Sequence, residues 1–198
     1  GAGTKIAVID TGIDTDNPYL ASKISEDSFN VITGKTVSSY GLDVIEEGDT
    51  LTSHGTEVAS VIAADYDSET GVGGIAPEAE LVVIKIVDDG KAEITASNVI
   101  LGMAYAIEKD VDVINMSFSF EADQNPFEKY TRLAVDSDIV CVASAGNHGT
   151  SANEWPAADD NVIGAGAVSR PDSSGFSASA TIGGDGETKD TYTLNARS

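Results

Sequence analysis

KIAVID (5–10) is a run of apolar residues closed by a carboxylate, with no alternation between polar and apolar positions. A strand that keeps one face in water alternates; a strand covered on both faces does not. Four more runs of the same kind follow: LVVIKI (81–86), VDVINMS (111–117), IVCVAS (139–144) and NVIGAGAV (161–168). Between them, 54–64 and 95–109 carry apolar residues at helical spacing, and 126–136 does so more weakly. Buried strands separated by helices predict a mainly parallel sheet between two helical layers, a three-layer αβα architecture of the α/β class.

Two regions break this rhythm. Residues 20–53 are polar around one apolar patch, SFNVI (28–32), and 172–190 are loaded with Ser, Gly, Asp and Thr. Both read as loops or excursions from the sheet. TYTLNARS (191–198) then resumes a strand-like pattern. No internal repeat and no break in composition divides the chain, so residues 1–198 read as a single domain.

At 198 residues the chain is long enough to bury roughly 70% of the surface its unfolded form exposes. Hydrophobic residues at 41% and charged ones at 22% place it among globular folds rather than disordered or fibrous chains. Eleven basic residues against 33 acidic ones leave a net charge of −22. That excludes nucleic acid as a partner, since affinity for it comes from Lys and Arg neutralising phosphates. The acidity suits a solvated surface, cation binding or attraction of basic substrates, and composition alone does not choose among them. Cys141, the one cysteine, lies in an apolar strand run and reads as a small core residue, and no internal disulfide can form. No apolar stretch reaches the roughly 18 residues of a membrane span, and the opening GAGTK is not the start of a signal peptide.

Side chains at the carboxyl ends of parallel strands are held rigidly yet remain accessible, which makes those ends the place to look for chemistry. Asp10 ends KIAVID and runs into the tight turn TGID (11–14). Many phosphoryl-transfer and nucleotide-binding folds also place an Asp there, so this residue alone decides nothing. In SHGTEVAS (53–60), His54 would open a buried helix with its ring toward a cleft. It is either a capping or packing residue or a general base whose other ring nitrogen donates to a carboxylate. In ASAGNHG (143–149) a strand ends in Gly-Asn, a sharp turn that pushes Asn147 outward, either as an ordinary turn or as a donor to an oxyanion. His148 beside it reads as a surface loop residue, and Trp155 as a packing one.

Taken together and in order, AVIDTGID (7–14), HGTEVAS (54–60), GVGGIAP (71–77), VINMS (113–117), ASAGN (143–147) and WPA (155–157) resemble the subtilases, the subtilisin-like serine peptidases, from residue 4 to about 178. The chain order Asp, His, Ser is the one subtilisins use. The resemblance implies that Asp10 orients His54, that His54 is general base and then acid, and that Asn147 donates to the oxyanion. Ser117, Phe118 and Ser119 would line the pocket for the substrate residue on the acyl side of the scissile bond. Gly90, Lys91 and Ala92, within DDGKAE (88–93), would pair with an extended substrate backbone as an added strand. A polypeptide substrate, a propeptide and, by family habit, export or cell-surface display are implied as well.

The departures are as informative. The Gly-Thr-Ser-x-Ala-x-Pro motif that carries the family's nucleophile and opens its helix occurs nowhere in the sequence. Ser144, Ser174 and Ser177 belong to other family segments, while TYTLNARS resembles the stretch just ahead of the nucleophile. The expectation is a subtilisin-like domain lacking its nucleophile helix, inert or nearly so by itself, with the Ser supplied by a complementary C-terminal segment. The alternative is a pseudoenzyme that binds peptides or a protein partner without cutting. Glu57 stands where the family often has a second His and Ser60 where it often has Gly. Ser119 and Phe120 replace common glycines and would narrow the pocket. No cofactor is implied for the chemistry. The family's calcium loop corresponds to DYDSETGVGG (65–74), but Tyr19 sits where a carboxylate ligand is common, and calcium needs about six to eight oxygens.

Overall fold

A computed structural model of the chain describes residues 1–36, 53–88, 93–147 and 154–166. Gly90, Lys91, Ala92 and His148 lie outside the described residues, as do the Ser-rich stretch and TYTLNARS. The strands are β1 (Lys5–Asp10), β2 (Phe29–Asn30), β3 (Lys35–Thr36), β4 (Glu80–Lys85), β5 (Val113–Met116), β6 (Phe120–Glu121), β7 (Val140–Ser144), β8 (Glu154–Trp155) and β9 (Val162–Ala165). The helices are α1 (His54–Ala63), α2 (Ala96–Glu108) and α3 (Glu128–Asp136), with a 3₁₀ turn at Ala21–Lys23.

Seven strands form one sheet in the order β3-β2-β4-β1-β5-β7-β9, parallel throughout except for β3, which pairs antiparallel with β2. Packing places the helices in two layers, with α2 and α3 against each other on one face of the sheet and α1 on the other.

The side chains divide accordingly. Ala7, Ile9, Val82, Ile84, Ile114, Met116 and Cys141 face α2 and α3, meeting Val99, Met103, Ala106 and Ala134. Ile6, Val8, Leu81 and Val83 face α1, meeting Ala59 and Ala63. This two-sided burial is why KIAVID shows no alternation, and the mainly parallel three-layer sheet is the architecture expected from the sequence. Cys141 is buried among the core residues, where desolvation pushes its thiol up to about 11.

The polar stretch 20–53, expected to be loop or an excursion from the sheet, in fact contributes a strand to it. Within it, β2 adds to the sheet edge beside β4, and Val31 donates its N–H to the Lys85 carbonyl at 2.9 Å. A two-residue strand is too short to show a period. On the α1 side of the sheet, Val140 and Ile163 remain 45% and 55% exposed.

Candidate active site

Asp10 is the last residue of β1, the central strand, and is 1% exposed. Its Oδ1 accepts the Thr11 backbone N–H at 2.7 Å and faces His54 Nδ1 at 2.8 Å. His54 is the first residue of α1, so the crossover that leaves β1 returns the imidazole to the end of the same strand. Two further bonds lock the approach: Gly55 N–H donates to Thr11 Oγ1 at 3.0 Å, and Asp14 N–H to Thr56 Oγ1 at 2.9 Å. The helix start comes so close that a Cβ on Gly55 would sit 2.1 Å from the Gly12 carbonyl oxygen. Only glycine fits at the second position of His-Gly.

The electrostatics follow from this seating. The hydrogen bond to Asp10 raises the His54 pKa above its ordinary 6.5; partial burial opposes the rise, and the negative charges of Asp10 and Glu57 add to it. With Nδ1 donating to the carboxylate, the neutral ring leaves the Nε2 lone pair free to take a proton on its other side. The side chain is 36% exposed, so that nitrogen is reachable. Glu57 is itself held by the Ser53 hydroxyl at 2.9 Å, and Ser60 turns its hydroxyl back onto the Thr56 carbonyl at 2.8 Å.

Along the same edge of the sheet, β5 ends beside β1 and β7 ends beside β5. Ser117 and Ser119 are half-buried at the end of β5, with Ser117 Oγ accepting from Asn115 Nδ2 at 3.0 Å. Phe118 is buried, its ring edge-on to Phe120 at 5.9 Å. Phe120 in turn packs on Phe127 at 5.6 Å, so its bulk goes into the core rather than narrowing a groove. Beyond β7, Gly146 takes φ +84 and the exposed Asn147 follows it. At about 4.8 Å per strand, the ends of β1 and β7 lie about 10 Å apart. Asp10 and His54 are thus brought into direct contact, and Asn147 lies two strands away on the same edge. Thr11, which positions the helix, was not singled out in the sequence; its signal was its place in the turn after Asp10.

The structural frame now matches the order of motifs along the chain. The description Peptidase S8, subtilase family, covers residues 1–193. The chain belongs to the subtilase family. It is similar to the major intracellular serine protease of Bacillus subtilis (strain 168), 34% identical over 174 residues, which are 85% of this chain and 52% of that protein. It is also similar to subtilisin E of the same organism, 36% identical over 173 residues, which are 85% of this chain and 42% of that one. Among solved structures, sphericase superposes with a TM-score of 0.67 and 28% identity over 83% of this chain and 53% of that one. The chain spans about half the length of the curated relatives it matches. One of these relatives is named intracellular, so belonging to the subtilases does not by itself imply export. Among the described residues, no helix is long and apolar enough to cross a membrane.

The subtilase calcium loop can be tested against the residues present. Asp67 accepts the Glu69 N–H at 2.8 Å, the Thr70 hydroxyl at 2.8 Å and the Tyr19 hydroxyl at 3.4 Å. These donors, led by the Glu69 N–H, hold its carboxyl below the ordinary aspartate value. Asp65 is paired with the Lys23 ammonium at 2.7 Å. Carboxylate oxygens aimed at donors, with a lysine cation already in the loop, do not fit calcium.

Proposed function

We propose that the protein containing this chain is a serine endopeptidase, with Asp10 orienting His54, His54 acting as base and acid, and Asn147 donating to the oxyanion. The observation that carries this is the 2.8 Å contact from His54 Nδ1 to a buried Asp10 at the end of the central strand. The nucleophilic Ser comes from a segment outside this sequence, and the exposed Val140 and Ile163 offer that segment an apolar seat. As the serine hydroxyl attacks the peptide carbonyl carbon, His54 Nε2 takes its proton and Asn147 faces the oxygen that becomes negative. The proton then goes to the departing amine, and water releases the acyl group by the same path. Ser117, Phe118 and Ser119 line the pocket for the residue on the acyl side, and Gly90, Lys91 and Ala92 pair with the substrate backbone. The site works on polypeptide substrates and without a cofactor. Export to the medium or cell surface is part of the proposal, to be checked by cell fractionation.

The test is labelling by an active-site-directed fluorophosphonate. Residues 1–198 alone should take no label, and the protein extended downstream should take it. Loss of a triad member costs on the order of 10⁴ to 10⁶ in turnover. Labelling of the isolated chain overturns the reading, as does a residue without a nucleophile at the downstream position, which would make the protein a peptide-binding pseudoenzyme.

A further inference from the structure

Four charged side chains are buried among the described residues: Asp10, Lys85, Glu154 and Asp159. Lys85 is the one cation of the four and is 0% exposed. Lysine is almost never withdrawn from water completely unless negative charge or acceptors compensate it. Its place in the sheet sets it beside the site. Lys85 is the last residue of β4, as Asp10 is of β1, and the two are partners in the parallel register, on strands about 4.8 Å apart. Ile6, Val8, Leu81 and Val83 face α1, and side chains alternate along a strand, so Asp10 and Lys85 both leave the sheet on the α1 side. Asn30, the partner of Lys85 on β2, continues the row. Among the described residues, the charged or titratable groups around this row are Asp10, His54 and Glu57 on α1, and Asp14 in the turn bonded to the helix start. The residues of β2 add no charge, and Lys35 of β3 is exposed.

A second observation lies at Asp10 itself. Its Oδ1 accepts the Thr11 N–H and faces His54, whereas the buried Oδ2 has no hydrogen-bond partner among the described residues. A carboxylate oxygen taken out of water without a donor loses its hydration with no direct contact to offset the loss. It is also the oxygen on which a proton would settle if one passed from the imidazole to the carboxyl group. A cation on the adjacent strand, in the same dry layer, offsets that negative charge through space, where screening is least.

We propose that Lys85 is a positioning residue of the triad, its positive charge offsetting the buried Asp10 carboxylate and keeping the proton they share on His54 Nδ1. This rests on the peptidase reading above and adds a residue to its reaction. The role belongs to the field of the ammonium, so it needs no bond between the two side chains and leaves the other contacts of Lys85 in place. The same field opposes a second proton on His54, against the negative charges of Asp10 and Glu57 that favour it. Taking the cation away therefore makes the pair hold its proton more tightly, and the acid limb of activity moves to higher pH.

The experiment follows kcat/KM of the complete protein against pH, normalised to the sites that take fluorophosphonate so that misfolded molecules drop out. Lys85→Met keeps an unbranched stem without the charge and should move the acid limb up by about half a pH unit or more. Lys85→Arg keeps the charge and should leave the limb in place. Asn30→Asp retains the oxygen that accepts the Ile32 and Thr33 N–H groups, sets a negative charge on the other side of Lys85, and should also raise the limb. A purely structural role of Lys85 would lower the number of active sites without moving the limb. The proposal is overturned by an unmoved or lowered limb in Lys85→Met, or by a limb that Lys85→Arg moves as far as Lys85→Met does. Should Lys85→Met not fold, an unmoved limb in Asn30→Asp overturns it instead. When wild type labels and cuts, these results remove only the role of Lys85; if wild type neither labels nor cuts, the peptidase reading falls with it.

Discussion

The contact of His54 with Asp10 has two opposite consequences in pH. The pKa of the imidazole is raised in the folded state, so the contact contributes stability that is fully present below the unfolded value of 6.5. That contribution is lost as pH rises through the raised folded value. Activity runs the other way, because only neutral His54 can accept a proton. The acid limb of the kcat/KM profile of the complete protein should therefore lie above the ordinary histidine value. Glu57, whose charge raises the His54 pKa, gives the check: Glu57→Gln should move that limb to lower pH, and an unmoved or raised limb would contradict the assignment. Asp10 and His54 were legible in the sequence because each sits in a local motif whose turn or helix start is written beside it. The hold of Thr11 on the helix start was not legible, because its hydroxyl and the Gly55 N–H it accepts come together across the fold and leave no local pattern.

At the scale of elements, the seating of α1 on the turn after β1 is the joint on which the site depends. Gly55→Ala would drive a methyl into the Gly12 carbonyl. Overpacking of this kind costs about 1–3 kcal/mol, or about 2–12 °C in Tm for a domain of this size. It would also displace the imidazole from Asp10, so activity should fall by more than the loss of folded protein accounts for; a variant matching wild type in both would refute the tight joint. The loop between α1 and β4 makes a second prediction. With Lys23 on Asp65 and Tyr19, Glu69 and Thr70 on Asp67, chelation by EDTA should leave Tm unchanged. A rise of several degrees on adding calcium would show that the loop takes the ion. The long strands and helices were readable because their burial spans enough residues to form a pattern. The two-residue strands β2, β3, β6 and β8 were not, and the direction of the Phe120 ring depended on one of them.

For the whole molecule, charge outweighs any single ion pair. Lys5 and Lys109 on Asp27, and Lys23 on Asp65, are surface contacts, set against an excess of 22 negative charges. Surface pairs contribute little, whereas like charges confined to a compact fold repel one another. Raising salt from 0.1 M to 1 M shortens the screening length from about 10 Å to about 3 Å. Tm should accordingly rise with KCl over that range; a Tm that falls would mean the ion pairs dominate.

The middle place of β1 in the sheet also governs how the chain reaches its fold during synthesis. Lys5 pairs with Glu80 and Ile6 with Val113, so β1 leaves the ribosome well ahead of both of its neighbours. At about 5–20 residues per second, KIAVID is without a sheet partner for seconds. Until β4 emerges, the nascent chain carries its most apolar segment uncovered and Asp10 in water. Pairings this distant in sequence also slow refolding.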